Sequence, residues 1–196
     1  EESYGYLIGD FVRDKDAVAS CAMIAELTAS AKDRGLSLFD LLMAMYQENG
    51  FYYEALVSLT KKGKTGAEEI QQMMADFRAN PPTQIAGSDV VRIDDYKALT
   101  RREFGRRELG RRELGRRENG QTNSIEAGKM GIESSNVLQF FTADGTKISA
   151  RPSGTEPKIK FYVSVNEPLN SKAEFDAVYA SLKEKVQRVI EDMKLV

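Results

Sequence analysis

The sequence predicts an α+β fold: a C-terminal antiparallel sheet with helices on one face, preceded by a helical remnant of an α/β domain. Three observations carry this reading. Residues 158–165 alternate, with Ile159, Phe161, Val163 and Val165 in one phase, as a half-buried strand requires. Asp144-Gly145 marks a tight hairpin between two apolar segments. Residues 171–193 place Phe175, Val178, Tyr179, Leu182, Val186, Val189 and Ile190 on one helical stripe.

Taken in chain order, residues 16–34 are rich in Ala, Val, Met, Ile and Leu, with no Pro or Gly, and Gly35 follows. Apolar all round and closed by a glycine, they predict a largely buried helix. Ser37 and Asp40 are spaced as a capping box. They open a second helix with Leu38, Leu41, Leu42, Met45 and Tyr46 on one face, ending near Gly50. Residues 51–60, aromatic and β-branched, predict a strand. Thr65 and Glu68 form a second capping box, and Ile70, Met73, Met74 and Phe77 make the apolar stripe of a helix that stops before Pro81-Pro82. Residues 83–93, 136–143 and 146–151 predict further strands, and Ser171 and Glu174 cap the last helix. Residues 1–50 thus read as part of one unit and 51–196 as another.

Residues 101–119 interrupt the pattern with a tandem Arg-Arg-Glu-Xaa-Gly, in which Phe104, Leu109, Leu114 and Asn119 take the variable place. Five residues turn a helix by about 140° beyond a full turn, so these side chains never share a helical face. An odd period also changes sides along a strand. A low-complexity, solvated surface loop is expected there. A nucleic-acid arm is the rival reading, weakened because each unit carries Glu beside its arginines and brings no aromatic platform.

Composition narrows the functions. The 196 residues carry a net charge of −2 and 41% hydrophobic residues, which suits a globular protein and argues against a dedicated nucleic-acid binder. With no histidine, the chain itself can hold no His-based catalytic triad or imidazole metal site. Cys21 is the one cysteine, so no internal disulfide forms and a reducing, cytoplasmic setting is expected. No apolar run approaches the roughly 18 residues of a membrane span. The chain opens Glu1-Glu2-Ser3, with neither a methionine nor a recognisable leader, and reads as part of a longer protein.

One loop has the chemistry of an anion site. In Arg151-Pro152-Ser153-Gly154-Thr155-Glu156-Pro157, Arg151 offers a planar donor fork, Ser153 and Thr155 offer hydroxyls, and Gly154 permits close backbone approach. Two prolines stiffen it. A plain turn of Ser, Gly and Pro is the alternative reading. At the start, Glu1-Glu2-Ser3-Tyr4-Gly5-Tyr6 combines carboxylates, a hydroxyl and aromatics suited to sugar hydroxyls and C–H faces. Arg13-Asp14-Lys15-Asp16 precedes the first helix, where an Asp can also serve as a cap.

These three segments, in this order and at these separations, resemble the α-phosphohexomutases, with the closest likeness to the bacterial phosphoglucomutases. The resemblance runs along nearly the whole chain apart from the Arg-Arg-Glu repeat. It implies four domains around a cleft in the complete protein, residues 1–50 being the end of the third, sugar-binding domain and 51–196 the fourth, phosphate-binding one. It implies that Glu1 and Ser3 bind sugar hydroxyls and that Arg13 and Lys15 lie at the cleft, Lys15 being a candidate for phosphate contact or proton transfer. It further implies that Arg151, Ser153, Gly154 and Thr155 bind the phosphate that is not transferred. The activity implied is interconversion of glucose 1-phosphate and glucose 6-phosphate, with Mg2+ and a glucose 1,6-bisphosphate intermediate. A phosphomannomutase, or a non-catalytic phosphosugar-binding module, is the alternative. The family's phosphoserine loop, Thr-Ala-Ser-His-Asn-Pro, and its metal loop, Asp-Gly-Asp-Ala-Asp, are absent from these 196 residues. Thr28-Ala29-Ser30 continues as Ala31-Lys32 inside a predicted helix, and Asp144-Gly145-Thr146 is a hairpin turn. Catalysis therefore falls to N-terminal domains outside this sequence. The partners expected are a phosphosugar and those domains, not nucleic acid or membrane.

Overall fold

The computed structural model describes residues 7–9, 14–61, 63–104, 125–126 and 133–195. The chain divides into two units, one of residues 1–50 with 168–173 and the other of 51–167 with 174–196.

The first unit holds α1 (Ala17–Asp33) and α2 (Leu38–Asn49). Asp16 caps α1 by accepting the Val18 amide at 2.9 Å. Gly35, at φ +70°, ends it while the Leu36 amide returns to the Ala31 carbonyl. Ser37 and Asp40 form the reciprocal capping box on α2: the Asp40 amide donates to Ser37 Oγ and the Ser37 amide donates to Asp40. Lys172 then pairs with Asp40 and holds its carboxyl well below the usual carboxylate range, with Ser37 adding to the effect. The predicted burial of α1 is not observed. Ala31 is its one buried side chain, while Val18 is 81% exposed and Met23, Ile24 and Leu27 lie open as well. Apolar residues on every side demand neighbours on every side, and the described residues do not supply them. On α2 the buried residue is Met43, between the members of the expected stripe, and Leu38 and Met45 are exposed.

The second unit is built on one antiparallel sheet. Its strands are β1 (Phe51–Thr60), β2 (Gln84–Ile85), β3 (Ser88–Asp95), β4 (Thr100–Glu103), β5 (Ile125–Glu126), β6 (Leu138–Thr142), β7 (Lys147–Pro152) and β8 (Lys158–Glu167). They run β1-β8-β7-β6-β3-β4-β5, with β2 paired to β3. Helices α3 (Gly63–Ala79) and α4 (Phe175–Asp192) both lie on the face that carries Phe51, Phe140 and Phe161. Phe77 of α3 meets Phe140 and Phe161 edge-on, at 5.9 and 6.1 Å between ring centroids. Phe175 and Tyr179 of α4 stack on Phe51. Leu138, Ile148, Ile159, Val163 and Leu182 complete a core in which each fully buried side chain contributes about 1.5–3 kcal/mol. This is the α+β layer that the alternations predict.

Four elements differ from expectation. Residues 101–103, the first triplet of the Arg-Arg-Glu repeat and expected in a surface loop, lie in β4 and pair with β3. The segment 83–93 is a hairpin rather than one strand: Ala86 and Gly87, at φ +50° and +78°, turn β2 into β3, and the Ala86 amide donates to Asp192 at 2.7 Å. Helix α3 starts two residues before Thr65, which removes the second capping box. Gly66 is required there because an added Cβ would stand 2.8 Å from the Lys61 backbone carbon. The last helix enters through a 3₁₀ turn, Lys172–Glu174, and Glu174 makes no side-chain capping bond.

The Asp-Gly hairpin forms as predicted, and α4 locks it. Lys185, nearly buried, places its ammonium 2.8 Å from Asp144, which also accepts the Thr142 hydroxyl and the Thr146 amide. Burial pushes the Asp144 carboxyl up, but those three donors outweigh it and hold the group well below its ordinary 3.8. A depressed folded pKa means stability that is complete above about pH 4 and lost as pH falls through the folded value. Lys185→Met is therefore expected to cost about 1–2 kcal/mol at pH 7, discounted because Asp144 is a third exposed, and to flatten the decline in Tm between pH 4 and pH 2. Thermal melts across pH check this; an unchanged acid limb would assign the decline to other carboxylates.

Candidate functional site

The candidate loop, residues 153–157, joins β7 to β8. It forms here because the strands on either side are long, buried in one phase and in register: Arg151 stands opposite Lys160, and Pro152 opposite Ile159. The Ser153 amide donates to the Lys158 carbonyl at 2.8 Å, and the Lys158 amide to the Glu156 carbonyl at 2.8 Å. Ser153 Oγ accepts the amides of Thr155 and Glu156 at 3.4 and 3.2 Å. On the far side the Pro157 carbonyl accepts the Lys61 amide at 2.9 Å, tying the loop to the β1–α3 connection. The loop is thus fixed through its own backbone, and its outward-facing groups are left over.

Those groups are donors. Arg151, Ser153, Gly154 and Thr155 are all exposed. Arg151 forms no ion pair with Glu156 or with any other described residue. Ser153 uses its oxygen as an acceptor within the turn, so its O–H is what it can offer outward. A Cβ placed on Gly154 would meet nothing within 4 Å, so nothing in the fold demands glycine there. A bare Cα does, however, leave the neighbouring N–H open to close approach. The donor types offered, a guanidinium fork, two hydroxyls and a backbone amide, are those an oxyanion accepts, each charge-assisted bond contributing about 1.5–3 kcal/mol.

The register adds a residue that the sequence reading missed. Lys160 shares its sheet face with Arg151 and stands directly opposite it, and Ser58 of β1 is its other neighbour in the same row. The signal was present in the sequence. Lys158 and Lys160 are the polar phase of the strand whose apolar phase was read, and only the pairing shows that this phase meets Arg151.

Of the other predicted residues, Lys15 is among those described. Lys15 lies in the first unit, exposed, its amide donating to Asp14 at 2.7 Å just before the α1 cap. Glu1, Ser3 and Arg13 lie outside the described residues. Among the described residues, no group of three His, Cys, Asp or Glu side chains could hold a metal ion, and no helix is long and apolar enough to cross a membrane.

No family model matches the sequence. Individual proteins do. The chain is 37% identical over 166 residues to a phosphoglucomutase of Staphylococcus haemolyticus, covering 85% of this chain and 27% of that protein. It is 39% identical over 168 residues to the phosphoglucomutase of Staphylococcus aureus, covering 86% and 27%. The chain belongs to the phosphoglucomutase family. It spans about a quarter of the length of these relatives. Among solved structures, parafusin from Paramecium, described as a phosphoglucomutase in an open form, aligns with a TM-score of 0.50 at 14% identity. That alignment covers 94% of this chain and 28% of the Paramecium chain, and at that identity it speaks to the fold alone. The fold and the family thus agree with the resemblance drawn from the three sequence segments.

Proposed function

We propose that this chain is the C-terminal part of a phosphoglucomutase and that its β7–β8 loop grips the phosphate that is not being transferred. In this reading residues 1–50 end the third domain and 51–196 are the fourth. The observation that carries the proposal is the loop itself: Arg151, with no partner among the described residues, beside Ser153, Gly154 and Thr155 on a turn whose backbone is already satisfied. Lys160 adds a second positive charge in the same row. The substrate is a hexose phosphate, glucose 1-phosphate turning to glucose 6-phosphate through the 1,6-bisphosphate. Glu1 and Ser3 take sugar hydroxyls, and Arg13 and Lys15 serve the cleft. A free, exposed Cys21 fits a reducing, cytoplasmic compartment.

A remote phosphate grip positions the reacting hydroxyl without making or breaking a bond. The grip must accept two orientations of the bisphosphate, which favours a clamp of donors around a symmetric anion over a pocket shaped to the sugar. Magnesium, which the family resemblance implies, finds no ligand set among the described residues, and none of these roles involves it. Transfer itself is assigned to N-terminal domains that carry the serine. The purified 196-residue chain is accordingly expected to convert glucose 1-phosphate at no more than background rate in a coupled assay, and clear turnover would overturn the division of labour.

A further inference from the structure

Strand β1 heads the strand order, and no described strand pairs with its outer side. Its ten residues, Phe51–Thr60, pair with β8 in one unbroken register. They include no proline and no lysine, and the strand carries no bulge, so the devices that guard an exposed edge are missing. At the other end of the order stands β5, only two residues long.

The hydrogen-bond phase shows which groups lie along that edge. The Lys61 amide donates to the Pro157 carbonyl at 2.9 Å, which extends the β1–β8 register by one pair. Bonded pairs alternate in an antiparallel ladder, so Leu59, Val57, Ala55 and Tyr53 also turn their N–H and C=O groups to β8. Tyr52, Glu54, Leu56, Ser58 and Thr60 therefore turn theirs outward. The side chains of these five are exposed, Tyr52 to 53% and Leu56 to 43%. Tyr53, Ala55, Val57 and Leu59, on the helix-bearing face, are only half-buried.

This edge is complementary to itself. An antiparallel second copy that engages all five outward residues must centre on Leu56. Leu56 then meets its counterpart, Glu54 meets Ser58, and Tyr52 meets Thr60. On the other face Ala55 meets Val57 and Tyr53 meets Leu59, which completes the half-buried row with apolar neighbours. No like charges stand opposed. We propose that β1 is a homodimer edge: two copies join β1 to β1 about a two-fold axis at Leu56, making one continuous sheet. The pairing uses the same edge in both copies and so stops at two. Two ten-residue strands make an interface at the small end of the specific range, so a dissociation constant on the order of 10–100 µM is expected.

Sedimentation velocity on this chain between about 1 and 500 µM should show the mass rise from one copy to two. Leu56→Lys opposes two ammonium groups at the axis and should weaken self-association about tenfold. It should leave the Tm of dilute protein unchanged, because that side chain is exposed. In a Cys21→Ser background, Leu56→Cys should give a disulfide-linked dimer under mild oxidation, whereas Glu54→Cys should do so only when mixed with Ser58→Cys. Cross-links that ignore this pattern would overturn the inference. So would a monomer at every concentration, an outcome that would leave the edge to a strand from the rest of the longer protein.

Discussion

In the complete enzyme, Arg151→Ala is expected to lower kcat/KM by about 30- to 1,000-fold, equivalent to about 2–4 kcal/mol of lost transition-state binding. The loss should appear in kcat as well as KM, because a loosened remote phosphate misplaces the reacting hydroxyl. Tm should hardly move, since the side chain is exposed and holds nothing in the fold. Arg151→Lys should recover only part of the loss, because a point charge replaces a two-pronged donor. Steady-state kinetics on the three proteins decide the matter, and values within twofold of wild type for the alanine variant would remove Arg151 from the site.

Replacing residues 101–119 by a short Gly/Ser linker is expected to lower Tm by about 6–12 °C. Nothing in the repeat's composition suggests this. It follows from Asp94, a carboxylate 3% exposed that would lose both arms of its Arg101 fork. Stripping a partner from a buried charge costs about 3–5 kcal/mol, the lower end applying because Arg92 remains nearby, and a domain of this size shifts about 2–4 °C per kcal/mol. Replacing residues 105–119 alone, which keeps β4 in the sheet, should shift Tm by no more than about 2 °C. Calorimetry on the two deletions separates the readings: if both melt like the parent, the fork contributes nothing.

What was legible in the sequence follows a physical line. Periodicity and turn chemistry act locally, so the strand alternation at Ile159–Val165, the Asp144-Gly145 turn, the Ser37–Asp40 box and the stripe of α4 could all be read before any contact was known. The candidate loop was legible for the same reason, being contiguous. The hairpin at Ala86-Gly87 was not, because alanine is a poor marker of a left-handed turn and this one is held by Asp192, 106 residues away. Strand β4 was hidden because its triplet gains meaning only opposite Asp94, and a repeat reads as low complexity wherever one unit happens to pair. Lys160 was missed because cross-strand register cannot be read from one strand. The burial expected for α1 was read from composition, which says that a helix needs neighbours and not whether this chain supplies them.

Binding of a phosphate dianion by the β7–β8 loop can be tested most directly on this chain by amide and guanidinium NMR during titration with glucose 1-phosphate. Saturable shifts are expected at the Gly154 and Thr155 amides and at Arg151 Nε, shared by inorganic phosphate, absent with glucose, and lost in Arg151→Ala. Shifts that leave this loop untouched at millimolar ligand, or that persist unchanged in Arg151→Ala, would contradict it.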